Sequence, residues 1–329
     1  MDVIDWLMDS DPAIRWQVMR DLVDAPKSDV RAERARVADE GWGARLLALQ
    51  LEDGHWAGDP PAFDSPEGKK WWESLPSSRR GTLFPQWTST TWSLVQLRDF
   101  GLDRGSPEAR RAVGRVRDNV RWEHEGEPFF EGEVEPCING RTVALGAYFG
   151  EDVHGIVKRL LGEQMADGGW NCEQENGSTR GSFHTTIEVL TGFLAYERAG
   201  GGSSEVRAAR LRGQEYLLER RMLRRLSTGE VINPEWTRFS YPPGWYYDVL
   251  RGLDYLRAAE VVPDERVAEA VGLVKSKRDA SGRWPLENPH KQGRLHFEVD
   301  EGEGRPSRWN TLRAIRVLKW HGGGSAARP

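Results

Sequence analysis

The stretch "QMADGGW", residues 164–170, decides the fold because the chain repeats it. A second copy reads "QLEDGHW" at residues 50–56, and a weaker third reads "KRDASGRW" at residues 277–284. Asp-Gly pairs, present in the first two copies, favour tight turns, and in all three copies a glycine stands two residues before the tryptophan. Self-similarity of this kind is typical of a protein built from repeated supersecondary units.

Two further tryptophans extend the series of markers. Trp122 and Trp236 each follow a helical pattern where a degenerate copy would fall, which gives markers at positions 56, 122, 170, 236 and 284. Their spacings alternate between 66 and 48 residues, with a mean of 57. This period is long enough for one pair of helices and two connections in each unit.

Two classes of helix alternate between the markers. Apolar segments at helical spacing are predicted at 87–100, 138–149, 183–196, 245–256 and 308–320. Charged amphipathic segments are predicted at 107–120, 153–164, 205–221 and 264–277. An N-terminal segment, "RWQVMRDL" at 15–22, resembles "RWNTLRAIRVL" at 308–318.

This alternation predicts an all-α protein in which apolar inner helices alternate with solvated outer helices. We expect an α/α toroid, a closed ring of about six helix pairs, because the last apolar helix has no outer partner and could seal against the first; an open solenoid is the alternative. The whole chain, 1–329, is predicted to be one domain with repeats at roughly 11–56, 87–122, 138–170, 183–236 and 245–284, followed by a final inner helix at 308–320. Three long loops, 58–85, 123–136 and 288–306, are the expected lids or disordered segments.

The charge balance excludes one class of partner. Lysine and arginine number 46 and aspartate and glutamate 51, which gives a net charge of -5 with no basic stripe, so nucleic acid is not an expected partner. No apolar run is long enough to cross a membrane, and the N-terminus carries no secretory signal pattern. With two cysteines, too few for a disulfide framework, the chain is expected to be cytoplasmic.

The glutamine, Asp-Gly turn and tryptophan of these repeats resemble the QW motifs of the squalene cyclase and prenyltransferase superfamily, over roughly residues 40–320. The resemblance implies an α/α toroid and an enzyme of terpene cyclase or prenyltransferase type that acts on a small, apolar, isoprenoid-like substrate. The chain departs from the superfamily in lacking the Asp-x-Asp-Asp acid motif and the Asp-Asp-x-x-Asp metal-diphosphate motif. Proton-initiated cyclisation is therefore not expected.

The same resemblance suggests a metal. Protein prenyltransferase β-subunits hold zinc with an Asp-x-Cys at one inner helix and a histidine at a later one, and this chain has Glu135-Pro136-Cys137 and His184 at comparable positions. In a toroid, the N-terminal ends of the inner helices would bring Cys137, Cys172 and His184 to one rim. Two thiolates and an imidazole suit zinc, with a fourth position for water, Glu135 or Glu173, or substrate. Helix N-termini would lower the pKa of both thiols. The alternative is that the cysteines only pack.

Residues at the heads of the inner helices are expected to line the central cavity as an aromatic bowl with few polar groups. The predicted binding residues are Trp87, Trp92, Asn139, Arg141, Tyr246, Tyr247, Trp309 and Asn310. The candidate catalytic residues are His184, Tyr246 and Asp248, although Asp248 could instead form a helical ion pair with Arg251.

Two other functions remain open from the sequence. Aromatic clefts in α/α toroids also hold sugars, so the chain could be a carbohydrate-active or glycan-binding protein in which Tyr246, His184 and Arg141 act on an acidic saccharide. It could also be a non-catalytic scaffold or pseudoenzyme, because a fold does not fix a function.

Overall fold

A computed structural model describes residues 2–56, 66, 69–70, 73, 87–122, 126–290 and 295–325. Within these ranges the chain forms helices and turns and no extended strand, which confirms the all-α prediction. The first and largest loop that the sequence marks as a lid, 58–85, lies almost wholly outside the described residues, as do 123–125 and 291–294 of the other two.

The helices follow the predicted alternation closely. They are α1 (Val3–Met8), α2 (Pro12–Asp21), α3 (Lys27–Ala35), α4 (Gly41–Leu47), α5 (Thr90–Phe100), α6 (Pro107–Asn119), α7 (Pro136–Phe149), α8 (His154–Gly162), α9 (Phe183–Tyr196), α10 (Ser204–Glu219), α11 (Val249–Ala258), α12 (Ala268–Ser276) and α13 (Arg308–Ser325). Helix α13 ends five residues later than predicted, at Ser325, and α11 begins four residues later than predicted, at Val249. Asp248 ends the preceding loop there and caps the helix by accepting a hydrogen bond from the backbone N–H of Arg251.

The two predicted helix classes differ in burial as expected. The apolar helix α7 is buried on nearly all sides, whereas α6 buries only a stripe of small and branched residues and exposes its arginines. Local signals fix the bounds of α6: Pro107 occupies its first turn, and Ser106 accepts a hydrogen bond from the backbone N–H of Ala109.

The repeated corner carries the same hydrogen bonds in all three copies. In the second copy, the indole N–H of Trp170 donates to the carbonyl of Leu160 at 2.8 Å, on the preceding outer helix α8. The backbone N–H of Trp170 donates to the hydroxyl of Thr186 at 3.0 Å, on the following inner helix α9. The equivalent pairs are Trp56 with Leu46 and Thr90, and Trp284 with Val274 and Thr311. Each corner therefore joins an outer helix to the next inner helix.

The glutamine of the motif adds a second tie. Gln164 donates to the carbonyl oxygens of Gly168 and Ala209, both at 2.8 Å, so it links its own turn to the outer helix α10. Gln50 makes the same two bonds, to Gly54 and Ala112. The corner is not reproduced at the degenerate marker Trp122. There the indole N–H donates to the carbonyl of Phe129, which follows it in sequence, and not to a preceding helix.

The inner helices contact one another in chain order. Helix α2 contacts α5, and the contacts continue through α7, α9 and α11 to α13, which in turn contacts α2. The α7–α9 pair is the most intimate, since Gly140 and Gly192 let the two backbones meet: a Cβ on Gly192 would lie 2.4 Å from the carbonyl oxygen of Gly140. This close approach sets the positions of Arg141 and Glu188, whose ion pair joins these two helices.

Candidate functional site

A cavity of about 640 Å³ lies between the six inner helices, each of which contributes to its wall. Its volume is within the range of small-molecule sites. The buried end is formed near the helix N-termini by Trp87, Trp309 and the loop 241–244. Exposed lining residues, among them Arg104 and Arg198, follow the C-terminal ends of α5 and α9. The cavity therefore opens at the helix C-terminal ends, opposite to the rim that the sequence analysis favoured.

The cavity wall is rich in positive charge. Among the described residues, ten arginines and four carboxylates line it, although the chain as a whole carries a net charge of -5. The arginines are Arg20, Arg34, Arg98, Arg104, Arg141, Arg198, Arg251, Arg257, Arg313 and Arg316. A concave surface of one charge with low-dielectric walls concentrates ions of the opposite sign.

Two of the lining carboxylates, Glu188 and Asp254, and also Asp21, which does not line the cavity, each bridge two of these arginines. Glu188 lies 3.0 Å from the guanidinium groups of both Arg141 and Arg251. Asp254 contacts Arg257 at 2.8 Å and Arg313 at 3.8 Å. In the same way Asp21 pairs with Arg20 and Arg316. Each triad retains one positive charge, so the carboxylates orient the guanidinium groups without neutralising the wall.

The protonation states follow from these contacts. Burial acts to raise the pKa of Glu188, but the two guanidinium groups beside it outweigh burial and hold that pKa below its ordinary value. The same balance lowers the pKa of Asp254. Burial lowers the pKa of Arg316 to about 10, so this guanidinium is still charged at neutral pH. The cavity therefore presents fixed charges near pH 7.

Five buried polar atoms of the wall have no hydrogen-bond partner among the described residues. They are the Nε atoms of Arg141 and Arg316, the indole nitrogens of Trp87 and Trp309, and the hydroxyl of Tyr241. The two arginine side chains are only 6% and 7% exposed. All five atoms can donate, and a buried donor without an acceptor costs free energy.

Aromatic rings form the remainder of the deep wall. Trp87 stacks on Trp92 with ring centroids 6.3 Å apart, and the guanidinium of Arg141 lies 4.0 Å above the ring of Trp92. Tyr241 stacks on Trp309 at 4.3 Å. The cavity thus joins flat apolar faces at its buried end to the cationic groups of its wall.

Half of the predicted binding residues line this cavity: Trp87, Trp92, Arg141 and Trp309. The other four lie elsewhere, each engaged in local structure. Asn139 exchanges hydrogen bonds with the backbone of Glu133, and the amide of Asn310 donates to the carbonyl of Pro285. The hydroxyl of Tyr247 donates to the carbonyl of Met222, and Tyr246 stacks on His290 at 4.2 Å.

The candidate catalytic residues also lie outside the cavity wall. Nδ1 of His184 accepts a hydrogen bond from the backbone N–H of Tyr247 at 2.8 Å, and burial, together with the positive charge of Arg251, lowers the pKa of His184 to about 4. Asp248 is buried and accepts from Ser240 as well as from the N–H of Arg251. The guanidinium of Arg251 pairs with Glu188, so the helical ion pair suggested for Asp248 is not formed.

The predicted metal set is brought together in part. Side-chain ligand atoms of Glu135, Cys137 and Cys172 lie within 4.8 Å of one another, and His184 is not in this group. The helix N-termini were expected to lower the pKa of both thiols, but only one of the two values is lowered. A hydrogen bond to Cys172, reinforced by burial, raises the pKa of Cys137 well above its ordinary value, whereas the same bond lowers the pKa of Cys172. The pKa values of the two thiols are therefore shifted in opposite directions.

Sequence reasoning missed the arginine-rich wall. Its signal was present, because five of the six inner helices carry one or more arginines within largely buried segments, such as Arg141 in "NGRTVALG". A charged residue on a helix buried on most sides needs a charged partner or a polar cavity. Periodicity alone does not show that five such helices turn these arginines toward one space.

The comparisons with known proteins give no further guide. No known protein family, no curated protein and no solved structure matches the chain. Among the described residues, no helix is both long and apolar enough to cross a membrane.

Proposed function

We propose that the chain is an α/α toroid whose central cavity binds a small molecule with clustered anionic oxygens on an apolar body, as in an isoprenoid diphosphate. The surplus of arginine on the cavity wall carries this proposal. The chain-order contacts of the inner helices, including that of α13 with α2, support the ring. The repeated corners support the resemblance to squalene cyclases and prenyltransferases. The isoprenoid substrate class proposed for this chain comes from that resemblance.

Arginine is suited to this ligand. Its planar guanidinium stays charged at neutral pH and presents donors that match phosphate and carboxylate oxygens in pairs. The triads pair Arg141 with Glu188 on α9 and Arg313 with Asp254 on α11, so these guanidinium groups are oriented before a ligand enters. Such preorganisation reduces the free-energy cost of binding.

The aromatic end supports the apolar half of the ligand. Trp87, Trp92 and Trp309 line the buried end, so the part of a ligand that reaches this end meets aromatic edges and surfaces. A wholly apolar ligand, which the sequence predicts, would leave the surplus of guanidinium groups on the wall without a counter-charge. An anionic group on the ligand supplies that counter-charge.

The first test measures binding by calorimetry with three probes: inorganic pyrophosphate, farnesyl diphosphate and farnesol. We expect farnesyl diphosphate to bind most tightly, pyrophosphate more weakly, and farnesol at least 100-fold more weakly than its diphosphate. Farnesol binding as tightly as farnesyl diphosphate would show that the arginines do not recognise the ligand. An oligogalacturonate that binds when both diphosphates fail would favour the saccharide alternative instead.

Variants locate the site. Arg141→Gln and Arg316→Gln remove buried donors of the wall and are each expected to weaken diphosphate binding at least tenfold. Arg159→Gln is the matched control, because Arg159 pairs with Glu163 on α8 and does not line the cavity. Arg198→Gln, at the exposed mouth, gives a second wall variant with less risk to folding. Incubation with farnesyl diphosphate and product analysis then separates an enzyme from a binding protein.

A further inference from the structure

A second cluster of reactive side chains lies outside the residues of the central cavity. The thiol of Cys137 donates to Oε2 of Glu135 at 3.3 Å, and the sulfur of Cys172 lies 3.4 Å from the hydroxyl of Thr185. The ligand atoms of Glu135, Cys137 and Cys172 are all within 4.8 Å of one another. The only two cysteines of the chain therefore meet beside a carboxylate.

Separate elements bring these groups together. Cys137 lies in the first turn of α7, and Cys172 begins the one-turn helix Cys172–Gln174 in the loop before α9. The side chain of Asn171 fixes that loop. Its Oδ1 accepts a hydrogen bond from the backbone N–H of Glu173, and its Nδ2 donates to the backbone carbonyl of Arg180 at 2.8 Å. The position of Cys172 is thus set by hydrogen bonds that do not involve its sulfur.

The surroundings of the thiols differ from those of cysteines that only fill space. Both cysteines are half-buried, and Glu135 is exposed. A packing cysteine usually has apolar neighbours, whereas here a carboxylate and two ionisable thiols share one small space. Ionising the thiols beside the carboxylate would place like charges together, and a divalent cation bound between them would remove that repulsion.

The donor set selects the kind of cation. Thiolate ligands favour soft or borderline ions such as zinc over magnesium or calcium, and a carboxylate oxygen is also a common zinc ligand. With zinc–sulfur bonds of about 2.3 Å, tetrahedral geometry places two sulfurs about 3.8 Å apart. The observed spread of 4.8 Å or less needs only a small contraction to reach this value.

We propose that Glu135, Cys137 and Cys172 bind one zinc ion at the start of α7, with its fourth position open to solvent. His184 is not a ligand, because its Nδ1 is engaged by the backbone N–H of Tyr247 and it lies outside the group. This proposal is separate from the proposed function of the cavity, since none of the three ligands lines the cavity wall. Either can fail without the other.

The test measures metal content and affinity rather than activity. Full-length protein, reduced and then loaded with excess zinc and desalted, is expected to retain one zinc per chain. Replacing zinc by Co²⁺ should produce the near-ultraviolet absorption of thiolate-to-cobalt charge transfer. Cys137→Ser and Cys172→Ser should each lose that absorption in part and bind zinc at least 100-fold more weakly, and Glu135→Gln at least tenfold more weakly.

Two controls test the identity of the ligands. Glu173→Gln removes an exposed carboxylate next to Cys172, and His184→Asn removes the imidazole, so both should retain wild-type zinc affinity. The proposal is overturned if the reduced protein binds neither zinc nor Co²⁺, or if both serine variants bind as tightly as wild type. Loss of zinc in His184→Asn with retention in Glu135→Gln would overturn the ligand set. Circular dichroism of each variant establishes that loss of metal is not loss of folding.

Discussion

Burial of His184 links the stability of the protein to pH. Its pKa is about 4 in the folded state, against an ordinary value of 6.5, because burial and the positive charge of Arg251 disfavour the imidazolium. As the pH falls from about 6.5 to 4, the unfolded chain binds a proton that the folded chain does not, so stability is lost over that range. His290 has the same lowered pKa and acts in the same direction.

We predict that His184→Asn reduces this acid sensitivity. The asparagine oxygen can still accept from the N–H of Tyr247 but cannot titrate, so the variant should lose less stability than wild type between pH 6.5 and 4, by an amount on the order of 3 kcal/mol. Urea unfolding at several pH values measures the difference. Equal slopes of stability against pH for the two proteins would contradict a buried neutral imidazole.

Asp300 produces the opposite dependence on pH. Burial raises its pKa to about 7, although Ser307 and the N–H of Arg308 donate to its carboxyl group. Its protonated form favours the folded state, so this contribution is present below about pH 4 and is lost as the pH rises through about 7. The histidines and Asp300 therefore act against each other in the wild-type protein.

We predict that Asp300→Asn stabilises the protein at pH 8 by up to about 4 kcal/mol and changes little at pH 4. The asparagine avoids a buried charge and keeps an acceptor for the helix N-terminus. Thermal unfolding at both pH values is the measurement. Destabilisation at pH 8 would mean that the ionised carboxylate is needed to cap α13.

The corners make separate contributions at the scale of single elements. We predict that Thr186→Val costs about 1–3 kcal/mol, because the buried N–H of Trp170 loses its acceptor while side-chain volume is kept. Thr90→Val and Thr311→Val should cost similar amounts, since they are the same bond in the other copies. Thr142→Val is the matched control: its buried hydroxyl only donates to the carbonyl of Ile138, so its loss orphans no donor. If Thr142→Val costs as much stability as Thr186→Val, the hydrogen bond at the corner contributes no more than the loss of any buried threonine hydroxyl.

The α7–α9 contact depends on glycine for a different reason. We predict that Gly192→Ala destabilises the protein by about 1–3 kcal/mol, because the new Cβ would meet the carbonyl of Gly140 and the two helices would have to separate. Gly155→Ala, on α8 with open space around it, should be neutral or stabilising by up to about 1 kcal/mol. Chemical unfolding compares them, and a neutral Gly192→Ala would show that the helices can separate freely.

Contacts between the two ends of the chain hold the last inner helix to the first. Arg316 on α13 pairs with Asp21 and donates to the side chain of Gln17 at 2.8 Å, both on α2. Lys319 also donates to the backbone of Asp21. These bonds join residues almost 300 positions apart, so the first helix can complete its contacts only after the last has been added.

We predict that a chain ending at Ser307 loses cooperative unfolding and diphosphate binding together, because it lacks the α13 wall and exposes the faces of α2 and α11. A chain ending at His321 is the control, since the first residues that it removes, Gly322 and Gly323, are exposed. Calorimetric unfolding of the full chain should give one transition, as expected for a single domain. Two independent transitions, or a truncated chain that still unfolds cooperatively, would contradict this.

The sequence alone determined ten of the thirteen described helices, because their signals are local: apolar spacing marks α7 and α9, Ser106 caps α6, and Asp-Gly turns mark two of the three corners. The short helices α1, α3 and α4 were not predicted. It also identified four of the cavity residues, the aromatic rings and Arg141 that lie near helix starts.

Only the tertiary structure decided the chemistry of the cavity. Whether Arg257 and Arg313 face one space depends on the rotation of two helices about their axes, which packing between distant segments sets and local spacing does not. For the same reason the structure places Glu135 beside the two thiols and turns His184 toward the backbone of Tyr247. Helix formation is a short-range property of this chain, whereas its candidate binding sites are products of contacts between residues far apart in sequence.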